Sequence, residues 1–223
     1  MGEARLTAQD PPPGCRHAPG VLDAEGQAAL LTAAEDCLAA APLHRPMAPW
    51  GKPLSVSMSN AGSLGWVTDS KGYRYQPTHP GTGAPWPPIP APLLEIWRAE
   101  AGADRAPDCC LINHYAPGSK LGLHRDDTEA EWDHPVLSVS LGDAATFRIG
   151  GLKRSDPTRS LTLESGDVFL LSGAGRLAYH GVDRVKRRSP NLLDGRPLFD
   201  SGDGKGGGRL SFTLRVAGTA KPG

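Results

Sequence analysis

From Gly102 onward the chain is cut into eight short runs of alternating or apolar character, with turn residues between them. The runs fall at about 109–115, 120–125, 136–141, 145–149, 160–163, 168–172, 177–182 and 210–216. Pro117-Gly118, Glu164-Ser165-Gly166-Asp167 and Ser172-Gly173 supply turns. Eight short strands in roughly 110 residues point to a mainly β fold, a sandwich or jelly roll. The punctuation is general: 28 glycines and 22 prolines make up about 22% of the 223 residues, against roughly 12% in average proteins. That disfavours long helices, while 39% hydrophobic content argues against a disordered chain.

Ahead of this region the pattern differs. Residues 1–20, rich in proline, read as a loose N-terminal arm. Asp23 can cap a helix whose Leu30, Leu31, Ala34, Leu38 and Ala41 fall on one side, and Pro42 stops it. A second, shorter helix follows Pro92, with Leu93, Leu94, Trp97 and Ala101 on one face and Gly102 as its stop. Between them, Trp50 to Pro90 is an aromatic, proline-rich stretch with a strand-like segment at 54–60, a shaped surface element of the same domain. The organisation expected is an arm (1–20), helices and surface element packed on the core (21–107), a β core (108–218) carrying a mobile loop at 187–208, and a tail (219–223).

Lys+Arg and Asp+Glu are both 24, so nothing in the net charge suggests a polycation, and a nucleic acid would have to meet a local basic patch. Candidates are Lys153, Arg154 and Arg159, and the run Arg184-x-Lys186-Arg187-Arg188. No apolar run approaches the roughly 18 residues of a membrane span, and the first twenty residues carry no signal peptide. Cys15, Cys37, Cys109 and Cys110 form no CxxC and read as reduced thiols. The expectation is a cytoplasmic monomer without membrane contact.

His124-Arg125-Asp126 is the sharpest local feature. On an extended strand, residues two apart project to the same side, so an imidazole and a carboxylate leave one strand end together. His180, near the end of a later run, is the candidate third ligand. Two histidines and one carboxylate with three positions open are the donor set of non-haem Fe(II) oxygenases. An isolated H-x-D pair is common on surfaces, so a second signal is needed. Residues 209–215 alternate strictly: Leu210, Phe212, Leu214 and Val216 point one way, Arg209, Ser211, Thr213 and Arg215 the other. Facing solvent, two arginines are ordinary; facing inward, they are grips for a carboxylate ligand such as 2-oxoglutarate. They lie about 20 Å apart at roughly 3.3 Å per residue, so they serve one ligand only if the strand curves or the side chains converge. Asn113 and Tyr115 share a face and can add hydrogen bonds to the same dicarboxylate.

The strings LINHYAPGSKLGLHRD, PVLSVSLG, FRIGGLKRSDP, LESGDVFLL, RLAYHG and RLSFTLR, with SVSMSNAGSLGWVTDSKGYRY upstream, resemble the AlkB family of Fe(II)/2-oxoglutarate dioxygenases over about residues 20–218. The resemblance implies a double-stranded β-helix (jelly roll) with flanking N-terminal helices and a nucleotide-recognition lid. It implies Fe(II) on His124, Asp126 and His180, and 2-oxoglutarate on Asn113, Tyr115, Arg209, Ser211 and Arg215, with O2 as oxidant. A damaged nucleotide would be held by Trp66, Tyr73, Arg74, Tyr75 and Arg154. The activity implied is oxidative demethylation of alkylated single- or double-stranded DNA, or of RNA, releasing formaldehyde, succinate and CO2. Two positions depart from the family pattern: Ser211 stands where asparagine is usual, and Thr128 where bacterial relatives carry an acidic residue. The rival readings are a 2-oxoglutarate hydroxylase of a protein or small molecule, which predicts turnover with free metabolites, and a silent jelly-roll binding module, which requires a broken ligand set.

Overall fold

The computed structural model describes residues 12–186 and 208–218, and within them the turn-punctuated runs become strands. In chain order these are β1 (Cys15–Ala18), α1 (Ala24–Ala40), β2 (Ser57–Gly62), β3 (Gly65–Asp69), β4 (Gly72–Gln76), α2 (Ala91–Glu100), β5 (Cys109–Tyr115), β6 (Leu121–His124), β7 (Val136–Gly142), β8 (Ala144–Ile149), β9 (Arg159–Leu163), β10 (Val168–Leu171), β11 (His180–Lys186) and β12 (Arg209–Arg215). The fold is mainly β with flanking helices.

An antiparallel six-stranded sheet runs β1-β10-β7-β12-β5-β2, and a four-stranded sheet runs β6-β11-β8-β9; β3 and β4 form a separate hairpin. Neither sheet closes on itself among the described residues. Alternation divides the large sheet's side chains between two apolar clusters. Ile112, Leu137, Val139, Leu210, Phe212 and Leu214 pack with Leu30, Leu31 and Ala34 of α1 and Leu93, Ile96 and Trp97 of α2. The opposite face, through Leu111, Val136, Phe169 and Leu171, packs with Phe147, Ile149 and Val182 of the small sheet. The order is therefore helices, large sheet, small sheet, and the space between the sheets is where a site can be enclosed.

Local chemistry accounts for the helix limits. The Asp23 carboxylate accepts from the Gly26 amide at 2.8 Å, one of the orphan donors of a helix start. Pro90 and Pro92 open α2, and Gly102, at φ +62°, turns the chain away after it. Four features differ from the sequence expectation. Residues 15–18 of the expected loose arm are strand β1, tied by His17 Nε2 to the Asp167 carboxylate at 2.8 Å. A four-residue strand lacks the alternation that would announce it. The run read at 177–182 begins at His180, because Gly173–Gly175 form a 3₁₀ turn and Ala178 N donates to Gly175 O at 3.0 Å. The strand-like segment read at 54–60 is shifted to 57–62, and the β3–β4 hairpin lies inside the stretch expected as a shaped surface element. The expected tail and all of the expected 187–208 loop except Gly208 lie outside the described residues.

The four cysteines are free thiols, and no helix among the described residues is long and apolar enough to cross a membrane.

Candidate metal centre and its cavity

β11 pairs with β6 so that His180 lies opposite His124. The approach is close: a Cβ at Gly181 would stand 2.6 Å from Leu121 O and 2.9 Å from Gly122 O, so any other residue there would push the strands apart. Asp126 follows two residues after His124. The ligand atoms of His124, Asp126 and His180 lie within 4.8 Å of one another. Each imidazole is turned by its own chain. His124 Nδ1 lies 2.9 Å from Gly122 O, and His180 Nδ1 2.9 Å from Ala178 O. With Nδ1–H donating to a carbonyl, Nε2 keeps its lone pair for a metal.

Electrostatics suit the same use. Burial first, and the neighbouring His124 second, lower the His180 pKa to about 4, so the ring is neutral at physiological pH. Burial alone would raise the Asp126 carboxyl, but Arg215, the two imidazoles and Arg176 outweigh it and hold the group well below the usual carboxylate range. Two imidazoles and one carboxylate fit a divalent transition-metal ion with coordination positions left for small ligands.

The triad opens into a cavity of about 470 Å³. Its floor is the inner face of β5 and β12, where Arg209 pairs with Tyr115 and Ser211 with Asn113 in register. All four line the cavity, as does Arg215. The inward alternative for the two arginines is the one observed, with Arg209 and Arg215 only 1% and 3% exposed. They occupy opposite ends. Arg209 donates to Asp143 O, Leu163 O and Ser140 Oγ, and burial lowers its pKa to about 10. Arg215 meets Asp126 at 3.2 Å and Glu129 at 2.9 Å. Asn113 Oδ1, Arg209 Nε and Arg215 Nε are buried without a partner among the described residues. Three such atoms around one cavity are what a polar ligand would satisfy.

At the mouth, Trp66 and Tyr73 stack on each other, with centroids 5.5 Å apart and planes at 21°. Arg154 also lines the cavity and donates to Leu123 O at 2.6 Å, beside His124. Arg74 and Tyr75, expected with them, are not brought to the cavity. Arg74 points to the other side of β4, where it makes a two-pronged contact with Asp69 at 2.9 and 2.8 Å. Tyr75 shares the face of Tyr73 but sits deeper, packed with Cys109 and Ala217, its hydroxyl donating to Glu129 Oε1 at 3.2 Å.

Glu129 and Arg176 are functional neighbours that the sequence did not disclose. Glu129 is fully buried and joins Tyr75, Arg215 and Arg176. Arg176 holds the chain around the site, donating to Asp126 O at 2.8 Å and His134 O at 2.7 Å. Both come from irregular segments where no periodicity points at a partner. Trp50, Leu54 and Met58 also line the cavity, although no role at the site was expected for them.

Comparison with known proteins agrees with this geometry. The family model of the 2OG-Fe(II) oxygenase superfamily matches residues 14–215. The chain is 48% identical over 208 residues to the alpha-ketoglutarate-dependent dioxygenase AlkB homolog of Caulobacter vibrioides (strain NA1000 / CB15N), covering 93% of this chain and 90% of that one. It is 44% identical over 161 residues to alpha-ketoglutarate-dependent dioxygenase AlkB of Escherichia coli (strain K12), covering 70% and 74%. A solved structure described as "The structure of OsALKBH1" superposes with a TM-score of 0.71 at 31% identity, covering 93% of this chain and 100% of that chain.

Proposed function

The chain belongs to the AlkB family of 2OG-Fe(II) oxygenases, and from that premise we propose that it repairs N-methylated DNA or RNA bases by oxidative demethylation. It is an enzyme of the Fe(II)/2-oxoglutarate-dependent dioxygenase class. The observation that carries the substrate reading is one cavity shared by the ligand triad, the buried Arg209 and the stacked Trp66–Tyr73 pair. In this reading the two sheets are the halves of a double-stranded β-helix.

His124, Asp126 and His180 would hold the ferrous ion. Arg209, Tyr115, Asn113, Ser211 and Arg215, which line the same cavity, would bind 2-oxoglutarate, with Arg209 and Tyr115 available to its far carboxylate and Arg215 beside Asp126. Iron, 2-oxoglutarate and dioxygen together supply the oxidation of the N-methyl carbon, with succinate and CO2 as co-products and formaldehyde released from the hydroxylated methyl. The protein positions the base and keeps bulk water out. A base inside a duplex cannot reach the triad, so it enters flipped or from a single strand, and methylation of the pairing edge lowers the cost of flipping. The Trp66–Tyr73 pair receives its face, a contact worth about 1–3 kcal/mol. Thr128 lines the cavity without charge, and Asp127 beside it is held by Arg125 at 2.6 Å, so cationic lesions meet no free carboxylate there.

The test is anaerobic loading with Fe(II) and 2-oxoglutarate, then air and a panel of methylated oligonucleotides. Formaldehyde and repaired base should appear in equal amounts, and Asp126→Ala should stop both along with succinate formation. Formaldehyde release without repaired base would remove the nucleic-acid assignment, and persistent succinate formation in the variant would remove Asp126 from the ligand set.

A further inference from the structure

Among the described residues the large apolar side chains left exposed are Met47, Trp50, Tyr73, Trp132 and Leu152. Single exposed hydrophobics are ordinary, but a group of them around one opening marks a binding surface. Trp50 and Tyr73 both line the cavity, and Met47 belongs to the same ribbon as Trp50. Trp50 is the most exposed of the five, at 67%.

Its placement is built rather than floppy. The segment from His44 to Met58 is a ribbon closed by paired backbone bonds: His44 with Met58 at 2.9 and 2.7 Å, Leu54 N to Pro46 O at 2.9 Å, and Ala48 N to Lys52 O at 2.8 Å. At its tip Gly51 N donates to Ala48 O at 2.8 Å, making a turn with Pro49 and Trp50 as the central residues. Proline suits the first central position because its φ is already set, and Gly51 takes φ +81° without strain. Thr68 Oγ1 ties Met47 O to β3, the strand that carries Trp66. An indole on such a tip loses little freedom when something stacks on it.

The size of the cavity says what would stack there. About 470 Å³ lies near the lower end of the roughly 300–1,000 Å³ range of small-molecule pockets. It suits the cosubstrate and one flipped base, and the adjoining nucleotides must cross the mouth. We propose that Trp50 is the platform for the base next to the flipped one, a second nucleotide subsite outside the Trp66–Tyr73 pocket. This rests on the nucleic-acid reading above.

The test uses the Fe(II)-loaded protein under nitrogen without 2-oxoglutarate, and a fluorescein-labelled single-stranded DNA pentamer with a central 1-methyladenine. Trp50→Ala should raise its Kd about tenfold by anisotropy, equivalent to about 1.4 kcal/mol, while Trp50→Phe should keep most of the affinity. A pentamer with both neighbours of the lesion made abasic should cost the wild type a similar factor and the Trp50→Ala protein almost nothing. Equal affinity of wild type and Trp50→Ala, or an equal abasic penalty in both, overturns the platform. If Trp50→Ala weakens binding as expected but the wild type releases no formaldehyde once 2-oxoglutarate and air are added, the demethylation reading falls and the platform stands. If formaldehyde is released while Trp50→Ala binds like wild type, the platform falls and the reaction stands. No binding by the wild type overturns both.

Discussion

The two faces of β12 are both largely buried, Ser211 alone being partly exposed, and they are made of opposite chemistry. Leu210, Phe212 and Leu214 are fully buried in the apolar cluster shared with the helices. One residue away in each case, Arg209, Ser211, Thr213 and Arg215 turn into the cleft between the sheets, and both guanidinium groups are almost as covered as the leucines. The first face gains by leaving water, at about 25 cal/mol per Å² of apolar surface. The second loses by it: the depressed Arg209 pKa corresponds to a cost of roughly 3 kcal/mol for keeping that charge desolvated. A strand that accepts such a cost beside a packed core keeps its charge for something other than stability, and a carboxylate ligand is what a buried arginine with a free Nε awaits.

Substitutions on the two faces should therefore separate. Phe212→Ala should cost about 3–5 kcal/mol in urea unfolding, through lost burial and the cavity left behind, while KM for 2-oxoglutarate stays within about threefold. Arg209→Met should do the reverse, raising that KM about a hundredfold, close to 3 kcal/mol, with unfolding stability lowered by less than about 1 kcal/mol or even raised. An Arg209→Met protein as unstable as Phe212→Ala would show that the charged face is also a pillar of the fold, and the comparison would fail.

Across the cleft, His180 tests whether the polar surroundings are as dry as the apolar ones. Its pKa near 4 in the folded protein lies below the ordinary 6.5, so the unfolded chain binds the proton more readily in between. Its contribution to stability is then full above pH 6.5 and is lost as pH falls toward 4. Between pH 7 and 4.5 the metal-free wild type should lose about 2 kcal/mol more than His180→Gln in paired urea titrations. Equal losses would place the ring in contact with water.

What was legible in the sequence follows from period two. Once 209–215 was read as a strand, its residues could only divide as they do, and Asn113 with Tyr115 followed by the same reasoning; His124 and Asp126 meet as expected, although β6 ends at His124 and Asp126 lies just beyond it. Period two says which side of a strand a residue faces, not how deep that side lies. Tyr73 and Tyr75 share a face of β4, yet one ring is 46% exposed at the mouth and the other is buried against Cys109. Glu129 and Arg176 were beyond reach for another reason: their partners come from strands and turns distant along the chain, and only the packing of the fold brings them together. Trp50 carried its signal in Pro49 and Gly51, a turn flanking an aromatic, but a turn alone does not say what it overlooks.

His124 and His180 each borrow the carbonyl two residues upstream to hold Nδ1. Many metal sites delegate that duty to a distant carboxylate, so that altering one wall of the pocket retunes the ligands. Here each ring carries its own local anchor, and alignment is inherited from the adjoining backbone. The cavity walls can therefore be substituted without disturbing the alignment of the two rings.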